Sequence, residues 1–413
     1  MSTDLKDSYC PQGNELTARN KDYRNDLHSI IDKIRKTSPV YKDDVFQRWI
    51  VTTHDGTKKI LKNITSCGRD WGVSSEGTWG KTVSQRVAKG KGNGKFGMVD
   101  VDGEEHRRLR SRAAKMFSPP KVVEMRAMVE RIADELIQEI HNLDTFDFIQ
   151  TLAAPFPTLI MAELLGVEPK DQENFKRWSE EWILVCDPDI TPSMAKLAAD
   201  ANVALTEYFV NAVEERTVNP GNDVISRLIS GAEKDDVLSL EEIVTIGLQL
   251  IVAGNITSTD LIGNGMVALL KNPEQLEKLR KNPELIHKTA EEMLRFDAPV
   301  TEIPRFCYTD VDVEGRIIEK GQTLTLNLAG SNHDPAAYHC PHKFDIEREG
   351  PSHHAFGGGA HQCLGIHLAR LEIEVIFKKV LAAFPTLKLT DASLERKAIP
   401  TFSGYKKVML STK

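Results

Sequence analysis

A ten-residue stretch near the C-terminus, 356–365, constrains this chain more than any other feature. It reads Phe-Gly-Gly-Gly-Ala-His-Gln-Cys-Leu-Gly, and apolar residues follow it at helical spacing over 366–381. Cys363 is therefore predicted where a glycine-rich loop enters a helix. A helix N-terminus has unpaired N–H groups and a partial positive charge, which favour a thiolate, and glycines let the backbone approach a flat group. Such a thiolate is suited to bind iron.

The ordinary alternative is a buried free cysteine beside a tight turn, since free cysteine is among the most buried residue types. The full pattern Phe-Gly-x-Gly-x-His-x-Cys-x-Gly argues against it. Its fixed positions are Phe356, Gly357, Gly359, His361, Cys363 and Gly365. This pattern resembles the haem-binding loop of the cytochrome P-450 family. The resemblance implies haem b with the Cys363 thiolate as axial iron ligand, and Phe356, Gly357 and Gly365 in the loop around it.

The resemblance extends from about Trp49 to Phe402. It implies the cytochrome P-450 fold, which is mainly α-helical with small β-sheets (α+β) and forms one prism-like domain around the haem. No linker or internal repeat divides the chain, so 1–413 is predicted to be one domain. Its expected parts are an N-terminal arm (1–40), a pocket-capping loop (67–99), a long central helix (239–271), and the cysteine loop with its helix (356–384).

Composition excludes several other classes of protein. The net charge of −7 does not suggest nucleic-acid binding. The polar start and the lack of an uninterrupted membrane-spanning apolar run predict a cytoplasmic protein without a membrane partner. Six scattered cysteines without a Cys-x-x-Cys pair predict neither disulfides nor a zinc site.

His106 and Arg110 lie four residues apart on a predicted helix and project from the same face. Alone, they would be an ordinary exposed pair. The resemblance implies that both side chains hold haem propionates, and that Arg305 and His361 are further propionate contacts. Arginine suits this role because its planar fork matches a carboxylate.

The long helix begins at a capping box, Ser239-Leu-Glu-Glu242, and ends before Pro273. Small residues in its middle, Ala253 and Gly254, let its backbone pass close to a flat cofactor, although they also suit a tightly packed core helix. The resemblance implies that Ala253 and Gly254 contact the haem. It also implies that Thr257 helps to hold dioxygen and to route protons to it.

One position departs from the family pattern, because Ile256 stands where an acid usually precedes the threonine. Isoleucine cannot relay a proton. Water, Asn255, Ser258 or Asp260 could substitute, and we predict Asn255 and Ser258 as catalytic partners of Thr257. Nitric-oxide-reducing members of the family also carry an apolar residue there after Ala-Gly-Asn, which keeps that second function open.

Glu292 and Arg295 form a Glu-x-x-Arg pair on a predicted helix. Such pairs are usually weak surface ion pairs. The resemblance implies instead a buried structural pair on the thiolate side, joined by Arg348.

The residues predicted to line the substrate pocket come from four segments. They are Trp71, Trp79, Val252, Ile256, Val300, Glu302, Ile303 and Phe402. The capping loop carries both of these tryptophans among lysines and glycines, which also suits a solvated mobile loop, and Glu302 is expected as a polar wall. These features favour a small polar substrate, either sugar-like or methoxylated.

The resemblance implies a haem-thiolate monooxygenase that hydroxylates or oxidatively O-demethylates its substrate. The chain has no flavin domain, Rossmann glycine motif or four-cysteine iron–sulfur pattern, so electrons must come from outside. A ferredoxin with its reductase, or a flavodoxin, is the expected donor, and dioxygen is the co-substrate. Basic residues around His106 could dock such a donor or form a solvated face: Arg107, Arg108, Arg112 and Lys115.

Two other functions remain open. The first is a nitric oxide reductase fed directly by a nicotinamide cofactor, which the basic loop 81–95 could attract. The second is a haem sensor that binds a ligand without turning it over.

We predict that the dithionite-reduced protein exposed to carbon monoxide has a Soret band moved far to the red, because a thiolate ligates the iron. Cys363→Ala should abolish this band. An ordinary haem–CO spectrum of the unmodified protein, or no haem at all, would contradict the assignment.

Overall fold

A 32-residue helix, Leu240–Lys271, runs through the core of the protein and organises the other helices. Its first turn is closed as predicted: the Ser239 side chain accepts from the Glu242 amide, and the Glu242 side chain accepts from the Ser239 amide. Asn272 ends it, because the following Pro273 disfavours helical geometry in the residue before it. By length and composition this helix could cross a bilayer, but 61% of its most apolar window is buried inside the protein.

The computed structural model describes residues 10–77, 97–167, 169–230, 237–390 and 392–413. Trp79 and the lysine-rich part of the capping loop fall outside the described residues. Within them we label the α-helices in chain order. They are α1 (Lys21–Thr37), α2 (His54–Lys62), α3 (Gly103–Ala114), α4 (Pro119–Glu124), α5 (Arg126–Ile140), α6 (Pro155–Leu165), α7 (Gln172–Trp182), α8 (Pro192–Val218), α9 (Val224–Ser230), α10 (Leu240–Lys271), α11 (Pro273–Lys281), α12 (Ile286–Phe296), α13 (Leu328–Ser331) and α14 (Ile366–Ala383).

The strands are short and form small sheets. They are β1 (Val40–Asp43), β2 (Arg48–Val51), β3 (Cys67–Gly68), β4 (Thr145–Asp147), β5 (Glu302–Cys307), β6 (Val311–Val313), β7 (Arg316–Ile318), β8 (Thr323–Asn327), β9 (Lys388–Leu389), β10 (Glu395–Arg396), β11 (Tyr405–Lys407) and β12 (Met409–Ser411). The largest sheet has the order β1-β2-β8-β5-β3, in which only the β2–β8 pair is parallel. A three-stranded sheet, β4-β12-β9, and the pairs β6–β7 and β10–β11 complete the set.

Apolar side chains of the helices form one large core, and the five-stranded sheet has a smaller core of its own. The predicted mainly α-helical class with small sheets is therefore confirmed. Helix α1 of the N-terminal arm buries Ile30, Ile31 and Ile34, so this part of the arm packs against the rest of the protein. The assignment of 1–413 to a single domain stays a prediction.

Glu292, Arg295 and Arg348 lie together in the interior. Arg295 donates to Glu292 at 2.7 and 2.8 Å, and Arg348 Nε donates to the same carboxylate at 3.1 and 3.2 Å. Both arginines also donate to backbone carbonyls of the segment before the cysteine loop, including that of Lys343. The Glu292 carboxylate and the two arginines thus fix the position of α12 relative to the segment that precedes the cysteine loop.

Glu292→Ala should lower the free energy of unfolding by about 3–5 kcal/mol, because it leaves buried guanidinium groups without their counter-ion. Glu347→Ala is the matched control: its partner Lys278 is about half exposed, and such pairs contribute about 0–1 kcal/mol. Guanidinium chloride denaturation followed by circular dichroism measures both. Equal shifts in the two variants would contradict a structural role for Glu292.

Candidate active site

The cysteine loop folds tightly because its glycines adopt conformations that other residues avoid. Gly357 and Gly359 have φ of 64° and 68°, in the left-handed region. The Cys363 amide donates to the Phe356 carbonyl at 2.9 Å and closes the loop. A Cβ on Gly359 would lie 2.1 Å from the Leu61 carbonyl oxygen of α2. Only glycine therefore fits where the loop passes α2.

Cys363 lies in the glycine-rich loop, three residues before the first residue of α14. Its side chain is accessible, but surrounding protein atoms desolvate it. Desolvation raises the pKa of the Cys363 thiol, although the Gly365 amide and the Arg110 charge both lower it. The polypeptide alone thus does not provide the thiolate that a helix N-terminus was expected to favour. A bound metal cation would deprotonate the thiol directly.

The four predicted propionate contacts, His106, Arg110, Arg305 and His361, converge beside this loop. The His106 and His361 rings lie 4.1 Å apart, and Arg110 donates to the carbonyl of the residue before Cys363. Arg305 is 4% exposed, and no carboxylate among the described residues forms a salt bridge with it. Burial and then nearby Arg69 lower the Arg305 pKa to about 9.

His106, like Arg305, is a buried polar residue of this cluster. Its buried Nε2 has no hydrogen-bond partner within the described part of the chain. Burial, and then the charges of His361 and Arg110, lower its pKa to about 4, so the ring is neutral at physiological pH. A neutral ring can donate from Nε2, and a buried cation and an unpaired buried polar nitrogen are both costly without a partner. The residues present therefore fit a group that carries carboxylates, such as haem with its propionates.

Asp102 connects these groups, and sequence reasoning assigned it no role. Its Oδ1 accepts from His361 Nε2 at 2.8 Å, while Oδ2 accepts from the amides of Arg69 and Asp70 and from the Tyr308 hydroxyl. Burial would raise the Asp102 pKa, but the hydrogen bonds outweigh it and lower that pKa. The ionised carboxylate fixes the His361 ring. The only sequence signal for Asp102 is its position immediately before the first residue of α3.

One stripe of α10 is open although most of the helix is buried. Ala253 is exposed, and Gly254 and Thr257 are half-buried, whereas Val252 and Ile256 are buried in the main core. The Thr257 hydroxyl donates to the Ala253 carbonyl at 2.6 Å. Ala253, Gly254 and Thr257 thus share the predicted open face. Val252 and Ile256 point into the core, so we no longer assign them to the pocket.

Asn255 and Ser258 are also buried and do not lie on this stripe. Asn255 Oδ1 accepts from Thr158 at 2.7 Å, and Ser258 donates to Glu372 of α14 at 2.6 Å. Asp260, the other possible acid, pairs with Lys397 at 2.8 Å. Burial raises the Glu372 pKa to about 8, although the Ser258 hydrogen bond lowers it. Glu372, which sequence reasoning missed, is therefore a neutral acid at pH 7 next to the residue that follows Thr257.

The remaining pocket residues divide into two groups. Val300 and Phe402 are half-buried and joined by a β-bridge, and Ile303 is a half-buried residue beside Gly357. These three remain candidates for the pocket wall. Trp71 forms the second group. It is 8% exposed, and its ring centroid lies 5.5 Å from that of Phe306, so it packs in a small buried cluster with Phe306.

Glu302 also departs from expectation. Its carboxylate accepts from Arg48 at 2.8 Å inside the sheet and is almost fully buried. It was expected as a polar wall because sequence position alone does not reveal Arg48 on the neighbouring strands.

Comparison with known proteins identifies the family. The family model described as Cytochrome P450 matches residues 77–403. The putative cytochrome P450 YjiB of Bacillus subtilis (strain 168) is 32% identical over 380 residues, which is 90% of this chain and 91% of that protein. The 6-deoxyerythronolide B hydroxylase of Saccharopolyspora erythraea is 36% identical over 71% of each chain. A crystal structure of P450BioI with a hexadec-9Z-enoic acid-ligated acyl carrier protein superposes with a TM-score of 0.86 at 29% identity, covering 95% of this chain and 100% of that one.

Gly359→Ala should sharply lower haem occupancy, because the methyl group meets the Leu61 carbonyl and the left-handed backbone costs about 1–2 kcal/mol more. Gly315→Ala is the control. Gly315 has a φ of 81° but open space around it, so it shares the conformational cost without the clash. The ratio of Soret to protein absorbance measures occupancy. Equal losses in both variants would show that backbone strain alone, and not the contact with α2, limits the loop.

Proposed function

The chain belongs to the cytochrome P450 family, and on that premise we propose that it hydroxylates or oxidatively O-demethylates a small organic substrate in the cytoplasm. It is a cytochrome P450 monooxygenase, an oxidoreductase whose family uses haem with a cysteine thiolate ligand, dioxygen and an external electron donor. We propose that Cys363 is this ligand and that His106, Arg110, Arg305 and His361 hold the propionates. When bound, the haem supplies reductive cleavage of dioxygen, which puts one oxygen atom into the substrate and releases the other as water.

We infer that the proton supply depends on side chains of α10 and α14. The observation that carries it is the buried Ser258–Glu372 hydrogen bond of 2.6 Å. Ile256 cannot hold a proton, and the carboxylate of Asp260 is neutralised by Lys397. Glu372 keeps its proton at neutral pH, since burial raises its pKa to about 8. We propose that Glu372 and Ser258 hold the proton that Thr257 passes into the pocket.

The substrate class remains a proposal with two alternatives. Ile303, Val300 and Phe402 are apolar, which favours a substrate with an apolar body. Two similar proteins, one named for 6-deoxyerythronolide B and one crystallised with a hexadec-9Z-enoic acid-ligated acyl carrier protein, support the same class. A polar, sugar-like or methoxylated substrate would need polar contacts from the capping loop, since Glu302 is engaged by Arg48.

The electron donor is proposed to be a ferredoxin with its reductase, or a flavodoxin. Arg107 and Lys115 are exposed at α3 and the turn after it, and an acidic partner could dock there. Arg108 instead forms an ion pair with Glu242 of α10, so we assign Arg108 a structural role and not a docking role.

The test is turnover of the haem-loaded protein with a surrogate ferredoxin, its reductase and NADPH. The panel should contain a long-chain fatty acid, a macrolactone, a methoxylated aromatic acid and a methylated sugar. We expect a type I spectral shift and a hydroxylated or demethylated product for one class. Spectral shifts and reduction without any product would instead favour the haem sensor.

A second candidate is nicotinamide-dependent nitric oxide reduction, which Ile256 after Asn255 favours. NADH oxidation with nitric oxide and no other protein would support it. No such oxidation, together with ferredoxin-dependent product, would exclude it as the main activity.

Glu372→Gln should lower product formed per NADPH and increase peroxide release, because the amide cannot donate the stored proton. Ser258→Ala should act in the same direction. Glu374→Gln, on the same helix but bonded to Arg126 and Lys378, should behave like the unmodified protein. Unchanged coupling in both Glu372→Gln and Ser258→Ala would contradict the proton role.

The raised pKa of Glu372 also predicts how the stability of the fold depends on pH. The unfolded Glu372 carboxyl titrates near 4.3, and burial raises its pKa to about 8 in the fold, so between these values the folded state binds one more proton. The stability that this group contributes is complete at low pH and is lost as pH rises through about 8. Denaturation midpoints should therefore fall more steeply with pH in the unmodified protein than in Glu372→Gln.

A further inference from the structure

Two buried cysteines outside the haem site face each other across neighbouring strands. Cys67 of β3 and Cys307 of β5 are directly opposed in the antiparallel register, and their Sγ atoms lie 3.9 Å apart. Their residues are 2% and 0% exposed. The sequence places them 240 residues apart, so only the fold reveals the pair.

The strand geometry suits a covalent bond between them. The Tyr308 amide donates to the Ser66 carbonyl at 2.8 Å, so the hydrogen-bonded pair is 66 with 308, and 67 with 307 is a non-hydrogen-bonded pair. In such pairs the Cα atoms are about 4.5 Å apart and the side chains are closer. Disulfides span Cα separations of about 4.4–6.8 Å. Side-chain rotation can therefore bring the sulfur atoms together without moving the strands.

The surroundings make Cys67 the nucleophile of the pair. The hydrogen bond with Cys307 and the Arg305 charge lower the Cys67 pKa, and burial opposes them. The same hydrogen bond, burial and the Asp310 charge raise the Cys307 pKa. Either sulfur can donate in this pair, and the nearby charges favour the thiolate at Cys67. Strand β3 has two residues and forms the edge of its sheet. Local opening of so short an edge strand gives a small oxidant access.

We propose that Cys67 and Cys307 form a reversible redox site that closes to a disulfide in the presence of hydrogen peroxide. The Cys67 thiolate attacks one peroxide oxygen and becomes a sulfenic acid as the O–O bond breaks. The hydroxide that leaves takes up the proton that the Cys67 thiol lost on ionisation and becomes the first water. The Cys307 thiol then attacks the Cys67 sulfur, the disulfide forms, and a second water leaves. Two thiols and one peroxide thus give one disulfide and two waters. A dithiol reductant reverses the reaction.

The bond would join two strands beside the predicted propionate contacts. Cys67 of β3 precedes Gly68 and Arg69, and the Arg69 amide donates to Asp102. Cys307 lies two residues after Arg305 on β5. A disulfide would therefore fasten β3 covalently to the strand that carries Arg305.

The test uses the haem-loaded protein, reduced, freed of reductant, treated with hydrogen peroxide and then alkylated with iodoacetamide after unfolding. Peptide mass spectrometry should show a Cys67–Cys307 crosslink with the loss of two hydrogens, and dithiothreitol should remove it. In Cys307→Ser no crosslink should form, and dimedone should trap the Cys67 sulfenic acid. Cys340→Ser, which changes an exposed cysteine elsewhere, should leave the crosslink intact.

The proposal is overturned if both thiols remain alkylatable under conditions that oxidise Cys340, because they would then be two packed side chains without redox chemistry. A dominant crosslink between other cysteines would overturn it too. Cys67→Ala serves as a second variant if Cys307→Ser does not fold.

Discussion

The site is built around a buried positive charge that the polypeptide does not neutralise. Arg305 lies almost without solvent exposure and beside Arg69, and the ionised Asp102 is mainly engaged by His361, Tyr308 and backbone amides. Burying a cation in this way is unfavourable unless an anion accompanies it. On the proposed assignment, carboxylates of the cofactor would supply that anion, so cofactor binding and folding of this region would stabilise each other. The depressed Arg305 pKa is the physical sign of this dependence.

Features set by local sequence were predictable. The glycines around Cys363, the Ser239–Glu242 capping box and the stop at Pro273 each act within a few residues, and each is found as expected. Features that join distant segments were predictable only where the resemblance named the residues, as for Arg348 and Glu292. Asp102 contacts His361 across 259 positions, and Glu372 contacts Ser258 across 114. No local pattern distinguishes Asp102 or Glu372 from ordinary surface or core positions.

The misplaced pocket residues have a simple geometric cause. Neighbouring residues of a helix point about 100° apart, so a helix assigned correctly along its length can still be assigned the wrong face. Residues 253 and 257 share the open stripe, whereas 252 and 256 share the adjacent buried one. The resemblance located the segment, but the sequence between Ala253 and Thr257 does not itself fix the rotation. Glu302 was misassigned for a different reason, since its partner Arg48 comes from a sheet that only the folded chain assembles.

The same helical geometry limits how a proton can leave Glu372. Ser258 and Thr257 are consecutive, so their hydroxyls point to different sides of α10, the first to α14 and the second to the open stripe. Direct transfer between them is therefore blocked while the helix is regular. The bond from Thr257 to the Ala253 carbonyl competes with the helical hydrogen bond to that oxygen and tends to bend a helix at such a point. A loosened turn between Ala253 and Ser258 would let one water contact both hydroxyls, which makes the proton route depend on local opening of α10 and not on an acid beside Thr257.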